Sequence, residues 1–129
     1  MLRAVDDAWN DRRWDDYAAL LHPDLQAVAN DSPVPHGCQR HVQRAREFCA
    51  LYPDARVHEP YLEVFGSADG NMTCTVSRVT GRPVGAAAGF DITMAIIAAW
   101  VDGRMIGQRQ FLDEQRMARQ VLAAKAASR

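Results

Sequence analysis

Residues 90–113 read FDITMAIIAAWVDGRMIGQRQFLD. Two apolar-rich runs, Phe90 to Val101 and Arg104 to Asp113, flank the pair Asp102-Gly103. Asp-Gly between two such runs is a strong hairpin signal, because both central residues of a type I′ turn need positive φ. In the first run Phe90, Ile92, Met94, Ile96, Ala98 and Trp100 alternate with Asp91, Thr93, Ala95, Ile97 and Ala99. Side chains on a strand alternate between faces, so the bulky set forms one wall and the small set the other. The bulky face suits a core or pocket wall. Strands this long twist and coil, so the sheet is expected to curve around whatever covers its concave side.

Working outward, the same pattern continues upstream. Val57 to Phe65 reads as a strand, Gly66 to Gly70 as a turn, and Met72 to Thr80 as the next strand. In that strand Thr73, Thr75 and Ser77 alternate with Cys74, Val76 and Arg78. The Gly/Ala-rich stretch 81–89 reads as a flexible joint near the pocket entrance. The N-terminal third is helical: residues 2–11 place Leu2, Val5 and Trp9 on one face, and residues 13–21 carry Trp14, Tyr17, Ala18 and Leu21. His22-Pro23-Asp24 ends the second helix, since proline disfavours the α conformation before it. A strand over 25–29 and a turn-rich loop follow. Val42, Ala45, Cys49 and Tyr52 then form an apolar stripe on a helix over 38–52. A last helix is expected over 114–126. Segregated helices followed by consecutive hairpins predict an α+β fold. The expected architecture is one domain over 1–129, a curved antiparallel sheet wrapped around N-terminal helices and enclosing an apolar pocket.

Composition agrees with a globular chain. The 129 residues are 48% hydrophobic and 24% charged, with a net charge of −1, so nothing in the balance points to nucleic acid. The cluster Arg40, Arg44 and Arg46 reads as a solvated helix face. No apolar run approaches the roughly 20 residues of a membrane span. The first residues lack an apolar signal core, and three cysteines do not make a disulfide framework, so a reduced, cytoplasmic protein is expected.

The order of elements, with certain local words, resembles the nuclear transport factor 2-like superfamily, and within it the SnoaL-like polyketide cyclase branch. Trp9-Asn10 and Trp14-Asp15-Asp16-Tyr17, leading to His22-Pro23-Asp24, are similar to the family's opening helices. Asp102-Gly103-Arg104-Met105-Ile106, through Asp113-Glu114 to Arg119-Gln120, resembles its closing hairpin and helix without a gap. The resemblance implies a conical pocket between sheet and helices, a homodimer through the convex sheet face, and chemistry without a cofactor. It also implies positions for the chemistry. Cyclases of this branch carry a carboxylate on the last strand and a histidine on its neighbour; Gln110 and Ile96 stand there, and neither exchanges a proton. Related epoxide hydrolases use an arginine between two aspartates; Arg78 is the strand arginine here, flanked by Val76 and Thr80. Related isomerases place an aspartate after the first strand, where Asp31 stands, or Asn30 if the register slips by one.

From these residues Asp31 is the expected acid–base group, or else a cap of its own turn. Gln108 and Gln110 alternate toward the pocket with Ile106 and Leu112, and their amides can donate to a substrate oxygen. Gln110 is therefore a candidate catalytic residue beside Asp31. Trp9, Tyr17, Arg78, Met94, Ile96, Trp100 and Gln108 are candidate ligand contacts, with core packing as the competing role for the aromatics. His36, Cys38 and His41 spell a metal-like word, but no fourth ligand is near, and no metal is expected. Two functions stay open. One is a cofactor-independent lyase, isomerase or cyclase acting on a small carbonyl-bearing or polycyclic molecule. The other is a non-catalytic module that binds a ligand or dimerises. An accessory-subunit role is a third possibility.

Overall fold

The computed structural model describes residues 2–128. The elements run α1 (Leu2–Asn10), α2 (Trp14–Ala19), β1 (Leu21–Ala29), α3 (Cys38–Leu51), β2 (Arg56–Val57), β3 (Glu63–Gly66), β4 (Met72–Gly81), β5 (Phe90–Val101), β6 (Arg104–Leu112) and α4 (Glu114–Ala127). The strands form one curved, unclosed sheet in the order β1-β6-β5-β4-β2, with β3 pairing further along β4. The Asp102-Gly103 turn has φ values of 51° and 77°, the positive pair that the hairpin requires. Antiparallel pairing of β4 with β5 is unbroken from Met72↔Ala99 to Gly81↔Phe90.

Four features depart from expectation. The sheet is mixed, because β1 lies parallel to β6, from Gln26↔Gly107 to Ala29↔Gln110. Strand periodicity carries no information about the direction of a distant partner. Strand β1 also begins earlier than expected, at Leu21, and its register is irregular between Leu21 and Gln26. Pro23 lacks an N–H, and an edge strand tolerates that loss. The expected strand over 57–65 is divided into β2 and β3, and Pro60, with no amide hydrogen for a ladder, stands in the break.

The fourth departure is a bulge. Ala99 faces Gly107 and Trp100 faces Met105, so Ile106 is the extra residue. A bulge changes which residues face inward. Met105, 2% exposed, takes the core position expected of Ile106. It packs in a cluster with Val5, Ala8, Leu21, Leu25 and Trp100. A second cluster holds Val57, Val79, Phe90, Ile92 and Val121. Helix α4 reaches this cluster through Val121, and Gln120 clasps both backbone groups of Asp91.

Close approach explains the glycine at the end of the 81–89 stretch. A Cβ on Gly89 would lie 1.9 Å from the Gly81 carbonyl oxygen, so the residue is small because β4 and β5 converge there.

Asn10 fastens α1 to the sheet. Its Nδ2 donates to the Val57 carbonyl at 2.9 Å, and its Oδ1 accepts from the Val57 amide at 2.8 Å. Asn10→Ala leaves both backbone groups of a short strand without these partners. The expected loss is about 1–3 kcal/mol, read as a lower urea midpoint.

Candidate functional site

A cavity of about 180 Å³ lies between α1, α3 and the inner face of the sheet. Its wall is mostly apolar: Val5 and Trp9 from α1, Phe48 from α3, Ile92, Met94 and Ile96 from β5. Into this wall project Asp6, Tyr17, His36, His41, Arg44, Gln108 and Gln110. A wider depression on the outer side of α3, lined by Arg12, Arg40, Arg46 and Glu47, is open to solvent. The smaller cavity joins titratable groups to a mostly apolar wall, which is the arrangement a small-molecule site needs.

Asp6 sits on the same helical face as Leu2 and Trp9, four residues after one and three before the other. The Tyr61 hydroxyl donates to its Oδ2 at 2.5 Å. Burial pushes the Asp6 carboxyl up from 3.8 to about 6; the charge of Asp7 adds to this, while the Tyr61 bond and Arg3 oppose it. Tyr61 is itself pushed up, first by burial and then by its bond to Asp6. Arg3 lies over the Tyr61 ring, 5.7 Å from its centroid, and pairs with Glu59.

Two histidines form the other polar group. His36 Nε2 and His41 Nδ1 are 2.8 Å apart. His41 stacks on Tyr17, with ring centroids 6.1 Å apart and planes inclined by 13°. Burial holds the His41 imidazole down at about 4, helped by His36 and Arg44, so it is neutral at pH 7. Gln108 pulls weakly the other way, yet it lies outside hydrogen-bonding geometry: His41 Nε2 is buried with no partner. His36 is shifted down by burial, then by Arg44 and Arg40.

Six of the expected site residues line the cavity: Trp9, Tyr17, Met94, Ile96, Gln108 and Gln110. Ile96 and Gln110 are direct cross-strand partners. Three stand elsewhere. Asp31 is exposed in the turn after β1 and is not part of the cavity lining. Its neighbour Asn30, at φ 51°, extends the sheet: its amide donates to the Gln110 carbonyl at 2.6 Å and its Oδ1 accepts from the Leu112 amide at 2.9 Å. Arg78 is on the outer face, because Val79 and Ser77 point inward, and it forms a two-bond pair with Asp91 at 2.9 and 2.7 Å. Trp100 is 4% exposed in the core, and its Nε1 donates to Thr73 Oγ1.

Sequence reasoning missed Asp6, Tyr61 and the pairing of His36 with His41. The signal for Asp6 was its place on the Leu2–Trp9 face. The signal for His41 was a second stripe, His41, Ala45 and Phe48, beside the one read from Val42. Among the described residues no group of three or more His, Cys, Asp or Glu side chains gathers as a metal site, and no helix is long and apolar enough to cross a membrane.

A curved sheet holding helices and a cavity on its concave side is the architecture of the ketosteroid isomerase-like, nuclear transport factor 2-like class. Within it, this chain belongs to the SnoaL-like polyketide cyclase family, whose model matches residues 1–121. Solved structures agree on the fold. A candidate polyketide cyclase from Xanthomonas campestris pv. campestris superimposes with a TM-score of 0.79 at 17% identity, covering 93% of each chain. An LEH-like epoxide hydrolase from M. tuberculosis gives 0.72 at 18% identity, covering 98% of this chain and 90% of that one. A Catenulispora acidiphila protein with a ketosteroid isomerase-like fold, in complex with trimethylamine, gives 0.78 at 14% identity, covering 93% and 90%. Identities this low speak for the fold alone. No curated protein matches the chain in sequence.

Proposed function

We propose that this chain is a cofactor-independent lyase, isomerase or cyclase acting on a small hydrophobic molecule that carries a carbonyl group. The observation that carries this reading is the Asp6 carboxyl, held by Tyr61 against an apolar cavity wall and pushed up to about 6. Such a group is mostly ionised at pH 7 yet returns a proton readily, as a general base needs to. It would take a proton from the carbon beside the carbonyl. Gln108 and Gln110, across the cavity on β6, supply amide donors for the oxygen that gains charge. The test is a pH–rate profile on a panel of small cyclic ketones and enones. Turnover is expected to rise as pH passes through about 6; a profile flat across that range, or no turnover of any member, contradicts the reading.

A second reading is a binding module without catalysis, and Gln110 opposite Ile96 favours it, since these stand where the family's cyclases carry a carboxylate and a histidine. Under that reading a cavity ligand raises the melting temperature and is recovered unchanged.

We also propose a homodimer through the convex face of the sheet. Ile97 and the ring of Phe111, with Arg109 stacked 5.3 Å above it, lie together there on β5 and β6. Burying each apolar side chain contributes about 1.5–3 kcal/mol. Sedimentation of the wild-type chain is expected to give a dimer, and Phe111→Glu a monomer. A wild-type monomer at tens of micromolar, on the order of the weakest specific contacts, contradicts this. The three unpaired cysteines support a reducing, cytoplasmic setting.

A further inference from the structure

His41 holds a buried nitrogen with nothing to bond. The side chain is 9% exposed, its Nε2 has no partner, and it lines the cavity. Buried polar atoms are nearly always paired, so an orphan in a cavity wall is a place where a ligand atom belongs. The opposite nitrogen is occupied: Nδ1 meets His36 Nε2 at 2.8 Å. His36 in turn is half-buried, and the backbone pins it, its N–H donating to Ala27 O and its carbonyl accepting from Ala27 N, both at 2.9 Å. The two rings therefore lie in series at the cavity wall, His41 buried and His36 partly open to solvent.

The groups facing this pair come from several elements. Tyr17 of α2 stacks on His41, Gln108 of β6 lies beside it, and Arg44 and Arg40 of α3 disfavour positive charge on the rings. Both imidazoles are thus kept neutral. A neutral imidazole carries one N–H and one lone pair, so a pair in series can give a proton at one end and accept one at the other.

Volume limits what the orphan nitrogen can meet. About 180 Å³ is slightly more than the roughly 150 Å³ of an apolar cavity that holds benzene. One ring with a few further atoms fits within that volume.

We propose that His41 Nε2 anchors and protonates the oxygen of a one-ring ketone, and that His36 relays that proton from solvent. This rests on the cavity being the reaction site. As the Asp6 carboxylate takes the proton from the carbon beside the carbonyl, the freed electron pair forms the carbon–carbon double bond. The carbonyl π pair takes the proton from His41 Nε2. Nδ1 of His41 accepts the proton of His36 Nε2, and His36 Nδ1 accepts one from water. The products are the enol, protonated Asp6, a hydroxide ion left in the solvent and two imidazoles still neutral, each in its other tautomer. Returning the Asp6 proton to carbon runs the relay backward. His41 is a catalytic residue here and His36 a positioning residue.

The test uses para-nitrophenol as a one-ring stand-in for the enol, with nitrogen NMR of the imidazoles. In the unaltered chain the probe is expected to shift His41 Nε2 and, through the shared bond, His36 Nε2. His41→Phe is expected to weaken probe binding about tenfold, the scale of one buried hydrogen bond. His36→Gln should keep probe affinity but slow exchange of the His41 ring proton with water about tenfold. Unmoved imidazole signals on the unaltered chain, or absence of probe binding, overturn the proposal, and this readout does not depend on a variant folding. The reading of Asp6 fails separately. Imidazole shifts without ketone turnover leave the anchor standing and remove Asp6 as base, whereas Asp6-dependent turnover with silent imidazoles removes the relay.

Discussion

Asp6→Asn is expected to lower kcat/KM by about a hundredfold to ten-thousandfold, the range for loss of a general acid–base group, while making the protein more stable at neutral pH. The two effects share one cause. Burial raises the carboxyl from 3.8 to about 6 in the folded chain, so the native state favours the protonated form. Between pH 4 and 6 the native state then binds more protons than the unfolded chain. For this group, stability is fully present below the unfolded pKa, declines as pH rises through about 6, and is level above that. A shift of about two pKa units corresponds to at most about 3 kcal/mol of destabilisation at pH 8. Asparagine carries no charge, and its Oδ1 can still accept from Tyr61, so the variant escapes the penalty. Melting at pH 8 should rise by several degrees, and the gain should vanish near pH 4. Equal loss of activity and stability would instead mark Asp6 as an ordinary structural residue.

Phe90→Ala is expected to cost about 3–5 kcal/mol, the largest stability loss of any single truncation considered for this chain. Phe90 is 2% exposed. Its ring meets Phe48 edge-on at 5.8 Å and Tyr52 at 5.0 Å, the tilted geometry that aromatic pairs favour. The ring also fills the space over Gly81, where an added Cβ would lie 2.7 Å from it. Backbone on one side and two rings on the other leave little room to collapse around the hole. Urea unfolding should show a lower midpoint with an unchanged slope. A loss below about 1 kcal/mol would mean that α3, β4 and β5 repack freely there.

The hairpin and its inner wall were legible because alternation is a local property. Ile92, Met94 and Ile96 line the cavity as period two requires, and the Asp102-Gly103 turn follows from φ alone. What failed needed non-local knowledge. No local pattern says that β1 should run parallel to β6, or that a bulge should exchange Met105 for Ile106. The site residues depend on the same kind of information. Asp31 looked chemical because it follows the first strand, but the sheet continues through Asn30 and leaves Asp31 in water. Asp6 stands beside Asp7 in α1, and nothing local beyond its helical face marks it as the buried one. Its partner Tyr61 lies 55 residues away and becomes visible only once the segment after Pro60 folds against the helix. The histidines at 36 and 41 were read as an incomplete metal word, and the structure pairs them with each other.

The most direct measurement is a carbon NMR titration of the Asp6 side-chain carboxyl in the intact chain. A midpoint near 6, well above that of the exposed aspartates, is the expected result. A midpoint near 3.8 would show a carboxyl in ordinary contact with water, and the cavity would then hold no base.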